Sequence, residues 1–100
     1  MIIVIFEFQP TPNLRHRYFE LAELLRTEVE HIDGFVSVER FESVEQTDRF
    51  VSISTWKNIE AVQTWKKQLE HCAAQNEAKT TGIFVQYRIR VAEVFRDYSS

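Results

Sequence analysis

The residues able to do chemistry are few and scattered. Three histidines and one cysteine stand in one hundred residues. His71 and Cys72 are adjacent, and neighbours on a helix point about 100° apart, so they do not make a chelating pair. His31, two residues before Asp33, is a weak metal motif and reads better as a cation beside the negative end of a helix. The sequence carries no Gly-rich phosphate loop, GxSxG elbow or CxxC pair. Glu7 is more pointed, being a carboxylate between Phe6 and Phe8. Such a group either pairs with an arginine (Arg40, Arg88 or Arg90) or faces a pocket. Arg88 and Arg90 alternate with Tyr87, Ile89 and Val91, so they share one strand face, from which they can bind an anionic ligand or pair with another subunit.

Composition narrows the setting. Length predicts a single domain over residues 1–100. A net charge of −3, spread along the chain, leaves no basic footprint for nucleic acid. The longest apolar run, Ile2 to Phe6, is far short of a membrane span, and no signal-peptide pattern opens the chain. The lone Cys72 cannot form an internal disulfide and fits a reducing compartment. The expectation is a cytoplasmic protein.

The elements that must position these residues follow from periodicity. Met1 to Phe8 is β-branched and aromatic and reads as a strand, ended by Pro10 and Pro12. Leu14, Tyr18, Leu21, Leu25, Val29 and Ile32 then form one helical stripe, closed by Asp33-Gly34. Phe35 to Ser43 and Arg49 to Trp56 read as two strands around a polar turn, with Val36, Val38 and Arg40 sharing a face. Asn58 caps a second helix with Glu60 in its first turn. That helix runs to about Lys79, with Val62, Trp65, Leu69, Cys72 and Ala73 on its stripe; Thr80-Thr-Gly82 ends it. Ile83 to Phe95 is the last strand, with Phe84, Ala92 and Val94 opposite Ile83, Val85, Tyr87, Ile89 and Val91. The order βαββαβ predicts an α+β, ferredoxin-like fold with a four-stranded antiparallel sheet.

Two strands are apolar on both sides. Ile2, Val4, Phe6 and Phe8 oppose Ile3 and Ile5, and both helices are already needed on one face of the sheet. At roughly 25 cal/mol per Å² of apolar surface, a wet second face forfeits several kcal/mol. A second copy laid sheet against sheet resolves this, so a homodimer is expected.

Ser52-Ile-Ser-Thr-Trp56-Lys-Asn58, Glu60-Ala61, Trp65-Lys66, His71 and Ala74-Gln75 resemble the second half of antibiotic biosynthesis monooxygenase domains. The closing run from Tyr87 to Tyr98, the opening strand, and Gly34-Phe35 with Glu39-Arg40-Phe41 extend the resemblance over nearly the whole chain. It implies a dimeric α/β barrel of ferredoxin-like subunits. It also implies a pocket between sheet and helices walled by a Trp on the second helix, which Trp65 matches; Trp65 is equally well placed to be core. Phenol-oxygenating members of the family carry an Asn and a Tyr where this chain has Ala61 and His71. Haem-degrading members carry an iron-ligating His and a first-strand Asn where it has Gln75 and, approximately, Glu7, which disfavours haem. The resemblance thus implies oxygenation, without cofactor or metal, of a small electron-rich phenol or hydroquinone. Trp65 and Phe84 would form the wall and His71 the base, with Glu7, Arg40 and Arg88 as further candidates for binding substrate. The competing expectation is a non-enzymatic homodimer that binds a small apolar molecule in the same pocket.

Overall fold

The computed structural model describes the backbone of residues 1–75 and 82–100, and the side chains of residues 1–68 and 82–100. The elements run β1 (Ile2–Pro10), a 3-10 turn (Pro12–Leu14), α1 (Arg15–Val29), β2 (Phe35–Glu42), β3 (Phe50–Trp56), α2 (Ile59–Gln75) and β4 (Phe84–Glu93). The strands form one antiparallel sheet in the order β2-β3-β1-β4. This is the ferredoxin-like α+β arrangement that the periodicity predicts.

Both helices lie on one face of the sheet. Tyr18 of α1 packs on Phe8, and Trp65 of α2 packs on Trp56, two side chains from the same face of β1 and β3. Local signals act where expected, with one exception. Asn58 Oδ1 accepts the Ala61 backbone N–H at 2.9 Å, satisfying one of the free donors at the start of α2. The helix stop expected at Asp33-Gly34 comes earlier, since α1 ends at Val29 with Glu30 as its C-cap, while Gly34, at φ +96°, leads the chain into β2 with Ala61 directly across from it. The His31 ring lies 2.7 Å from the Thr27 carbonyl at the end of α1, in agreement with a helix-end role.

Three further local expectations need correction. Pro10 does not stop β1 early: it is the strand's last residue, buried, and opposite Phe84 after a register shift. That irregularity brings Phe84 round to the helix side, against Phe6, Phe8 and Tyr18, on the same face as Tyr87 and Ile89. A second shift between Phe35 and Ser37 puts Phe35, not Val36, on the helix side with Val38 and Arg40. Strict alternation fails at both places because one extra residue inverts the parity of all that precede it. The predicted end of α2, residues 76–81, lies outside the described residues.

The core is divided. At one end of the layer, Val4, Ile32, Trp56, Ala61 and Val62 are buried together, with Phe35 and Trp65 packed against them. At the other, Phe8, Phe50, Tyr18, Phe19 and Phe84 interlock with ring centroids 4.7–5.6 Å apart. No residue of α1 is fully buried, so that helix rests on the sheet without closing on it.

Candidate functional site

Between the two packed ends runs one row of side chains that the helices leave partly open. Register places Arg40, Ser52, Phe6 and Ile89 side by side across β2, β3, β1 and β4, all facing the helices. On the central strands, where burial is the rule, Phe6 and Ser52 are only half-buried. Their neighbours along the same face (Val4, Phe8, Phe50 and Ser54) are buried. Ile89, at the β4 end of the row, is 43% exposed. Among the described residues this leaves a half-covered strip, a shallow trough across the sheet with Phe6 and Ser52 at its middle.

Its polar groups are donors. Arg40 rises from β2 and sets its guanidinium 4.7 Å over the Phe19 ring, beside the Tyr18 phenol. Burial pushes the Tyr18 phenol above its ordinary value, while the adjacent Arg40 charge pulls it back down. Tyr18 is therefore neutral near pH 7. A guanidinium carries donors only, so the Tyr18 O–H is not given to Arg40. Arg40 has no carboxylate partner among the described residues, and the Ser52 hydroxyl has no hydrogen-bond partner there. Ser54 differs: it accepts the buried Trp56 indole N–H at 2.9 Å and belongs to the core.

The sequence-predicted site residues fall into three groups. Arg40 and Phe84 stand at the trough, and Phe84 closes its aromatic end by an edge contact 5.5 Å from the Phe6 ring. Trp65 lies toward the other end, 5.9 Å from Trp56. The hollow beside it, bordered by Leu25 and Val29, is only about 10 Å³, too small for more than a water, so this flank of Trp65 packs as core. Glu7 and Arg88 point to the opposite face of the sheet, away from the helices, because their positions on β1 and β4 have the other parity. Glu7 takes the paired alternative, with Arg90 Nη2 3.3 Å from its carboxylate. The β1 position facing the helices beside Ser52 is thus Phe6, which offers haem no amide. The side chains of His71 and Gln75 lie outside the described residues. Among the described residues no group of three His, Cys, Asp or Glu is placed to hold a metal.

A roomier hollow, about 410 Å³, opens on the outer seam of the helices beside Thr27, Glu28, His31 and Gln68.

Sequence reasoning missed Phe6, Tyr18 and Ser52. A signal existed: two serines, Ser52 and Ser54, alternate with Phe50 and Trp56 on a core-facing strand, and a buried hydroxyl needs a partner. A Tyr within an apolar helical stripe asks the same question.

With this geometry in view, comparison with known proteins places the chain. Over 94 residues (94% of this chain) it is 32% identical to a jasmonate monooxygenase of Pyricularia oryzae, of which it spans only 43%. Two solved structures share its fold. One is a variant of SnoaB, a cofactor-independent oxygenase from Streptomyces nogalater, with a TM-score of 0.76 at 12% identity over 99% of this chain and 97% of that one. The other is a variant of MhuD with two manganese protoporphyrin IX groups per active site, with a TM-score of 0.75 at 17% identity over the whole of both chains. The antibiotic biosynthesis monooxygenase family model matches residues 1–77. By that match, with the fold in agreement, the chain belongs to the antibiotic biosynthesis monooxygenase family.

Proposed function

We propose that this chain is the subunit of a homodimeric monooxygenase that oxidises a small electron-rich phenol or hydroquinone in the trough between sheet and helices, without a cofactor. The observation that carries the reading is the half-open row Arg40–Ser52–Phe6–Ile89 between two packed clusters. It offers an apolar floor, an aromatic end wall at Phe84 and donors for an oxyanion. Relatives support the class of reaction: one is named for the oxidation of jasmonate, and one is a cofactor-independent oxygenase.

The chemistry asks little of the protein. A base removes the phenolic proton, and the electron-rich ring carbon of the resulting anion reduces O₂ directly. One oxygen atom enters the ring as a carbonyl and the other leaves as water, so substrate supplies all the electrons. The trough orients the ring, excludes water and stabilises the developing negative charge. In this reading His71 is the base, and Trp65 bounds the site from the α2 side.

The test is oxygen uptake with simple hydroquinones. The wild-type protein should consume O₂, and His71→Ala should slow it by about 10²–10⁴-fold while the fold is kept. Ser52→Phe, which fills the trough floor, should abolish it. Uptake that is undetectable, or unmoved by both changes, defeats the enzymatic reading. The second reading, a binding protein with the same trough, is favoured by Ala61. It is buried, lies against Gly34 and has no side-chain donor where phenol-oxygenating relatives carry Asn. Ligand binding without oxygen uptake would select it.

A further inference from the structure

We propose that the trough is built for an anionic ligand, whose carboxylate or phenolate oxygen is held by Arg40 and Tyr18 while its apolar body lies on Phe6 toward Phe84 and Ile89. The inference rests on the reading of the trough as a ligand site and deepens it by naming the charge of the ligand.

Three observations carry it. First, the polar groups at the β2 end supply donors. Arg40 has only N–H groups, and the Tyr18 O–H beside it cannot be given to a guanidinium, so both are donors open to a ligand oxygen. A neutral carbonyl can accept from both but leaves the guanidinium charge unanswered. An oxyanion satisfies two and also answers the charge. Second, Arg40 is free of the usual competitor. Glu39, its neighbour, points to the other sheet face, opposite Ile53, and the five ion pairs among the described residues all omit Arg40. Here an aromatic ring, Phe19, fixes its position and leaves its outer edge available. Third, the polarity runs one way along the row. From the guanidinium it passes to a single hydroxyl, Ser52, then to Phe6 and Ile89, which suits a ligand with one charged end and an apolar remainder. Ser52 lies one strand in from Arg40, so its hydroxyl can serve the second oxygen of a carboxylate or a ring substituent next to a phenolate.

The two sources of the oxyanion differ in when they are charged. A carboxylate is ionised throughout the neutral range, whereas a simple phenol ionises only near pH 10. If the phenolate is the target, binding must either strengthen with pH or release a proton on complex formation.

Calorimetric titration with three probes of one shape tests the idea: 1-naphthoate, its neutral amide, and 1-naphthol. Naphthoate should bind at pH 7 about 10–100-fold more tightly than the amide, in line with a hydrogen-bonded charge pair. Arg40→Met keeps the stem over Phe19 but removes the charge. It should cancel that preference and change amide binding by less than about 3-fold, while Arg40→Lys should restore part of it. Tyr18→Phe should weaken naphthoate by roughly 10-fold and the amide less. Proton release on binding naphthol, seen as a buffer-dependent heat, would identify the phenolate as a second ligand form. Equal affinities for naphthoate and amide, or an equal loss of both in Arg40→Met, would overturn the anion subsite. If the amide still binds in that case and Ser52→Phe blocks it, the trough survives as a neutral site. Failure of all three probes to bind would remove the subsite and the ligand site together.

Discussion

Tyr18 and Arg40 illustrate how two unremarkable residues become a device when placed in contact. On the sequence, Tyr18 is one member of a helical stripe, and Arg40 is one of several arginines on strands. In the fold they lie side by side, and the phenol is held neutral by burial, partly offset by the guanidinium. The sign of the linkage can be stated. The unfolded chain ionises Tyr18 at the ordinary value of 10 and the folded chain later. The contribution of Tyr18 to stability is therefore complete below pH 10 and is lost as pH rises through the folded value. A near-ultraviolet titration of phenolate absorbance should show a late-titrating tyrosine that Tyr18→Phe removes. Arg40→Met should move that step to still higher pH, because it deletes the charge that favours the phenolate. A step that stays in place would mean that the two groups do not touch.

Between elements, the joint of α1, β2 and α2 is the most constrained point. Gly34 combines a left-handed φ of +96° with a close approach: a Cβ there would lie 2.8 Å from the Ala61 Cβ. Gly34→Ala should cost about 1–3 kcal/mol, from backbone strain and overpacking, read as a lower denaturant midpoint at unchanged slope. Paired with Ala61→Gly, it should destabilise less than the two single changes summed, since the steric part disappears. The same joint explains why a small residue occupies position 61. Its Cβ lies directly against Gly34, so a larger side chain at position 61 would have to displace the turn.

At the scale of the whole molecule, the sheet face away from the helices carries Ile3, Ile5, Val51, Ile53 and Ala92. The first four are half-buried and the last is exposed. Among the described residues no helix covers that face, and a second copy is the occupant we propose. Light scattering at low micromolar concentration should give twice the chain's 11.9 kDa. Ile5→Glu, at the middle of the face, should shift the species toward monomer and expose it to unfolding, because a buried unpaired carboxylate opposes association. A wild-type monomer with full helical and sheet signals would rule the dimer out.

Much of this was fixed by the residues alone. The periods of 3.6 and 2 and the Asn58 cap are local properties, set by backbone geometry and near neighbours, and they yield the βαββαβ order directly. Faces were legible only where alternation is unbroken, as in Ile2 to Phe8 and Tyr87 to Val91. The shifts at Gln9/Pro10 and Phe35/Ser37 depend on the partner strand, so the side taken by Phe84 and Val36 was decided by pairing. The choice of Arg90 as the partner of Glu7 likewise came from strand register. The trough itself is a tertiary property throughout. It exists because α1 buries no residue fully and the core splits into two clusters, leaving Phe6 and Ser52 half-covered. Incomplete coverage depends on where a helix comes to rest on a sheet, and no sequence spacing records that distance.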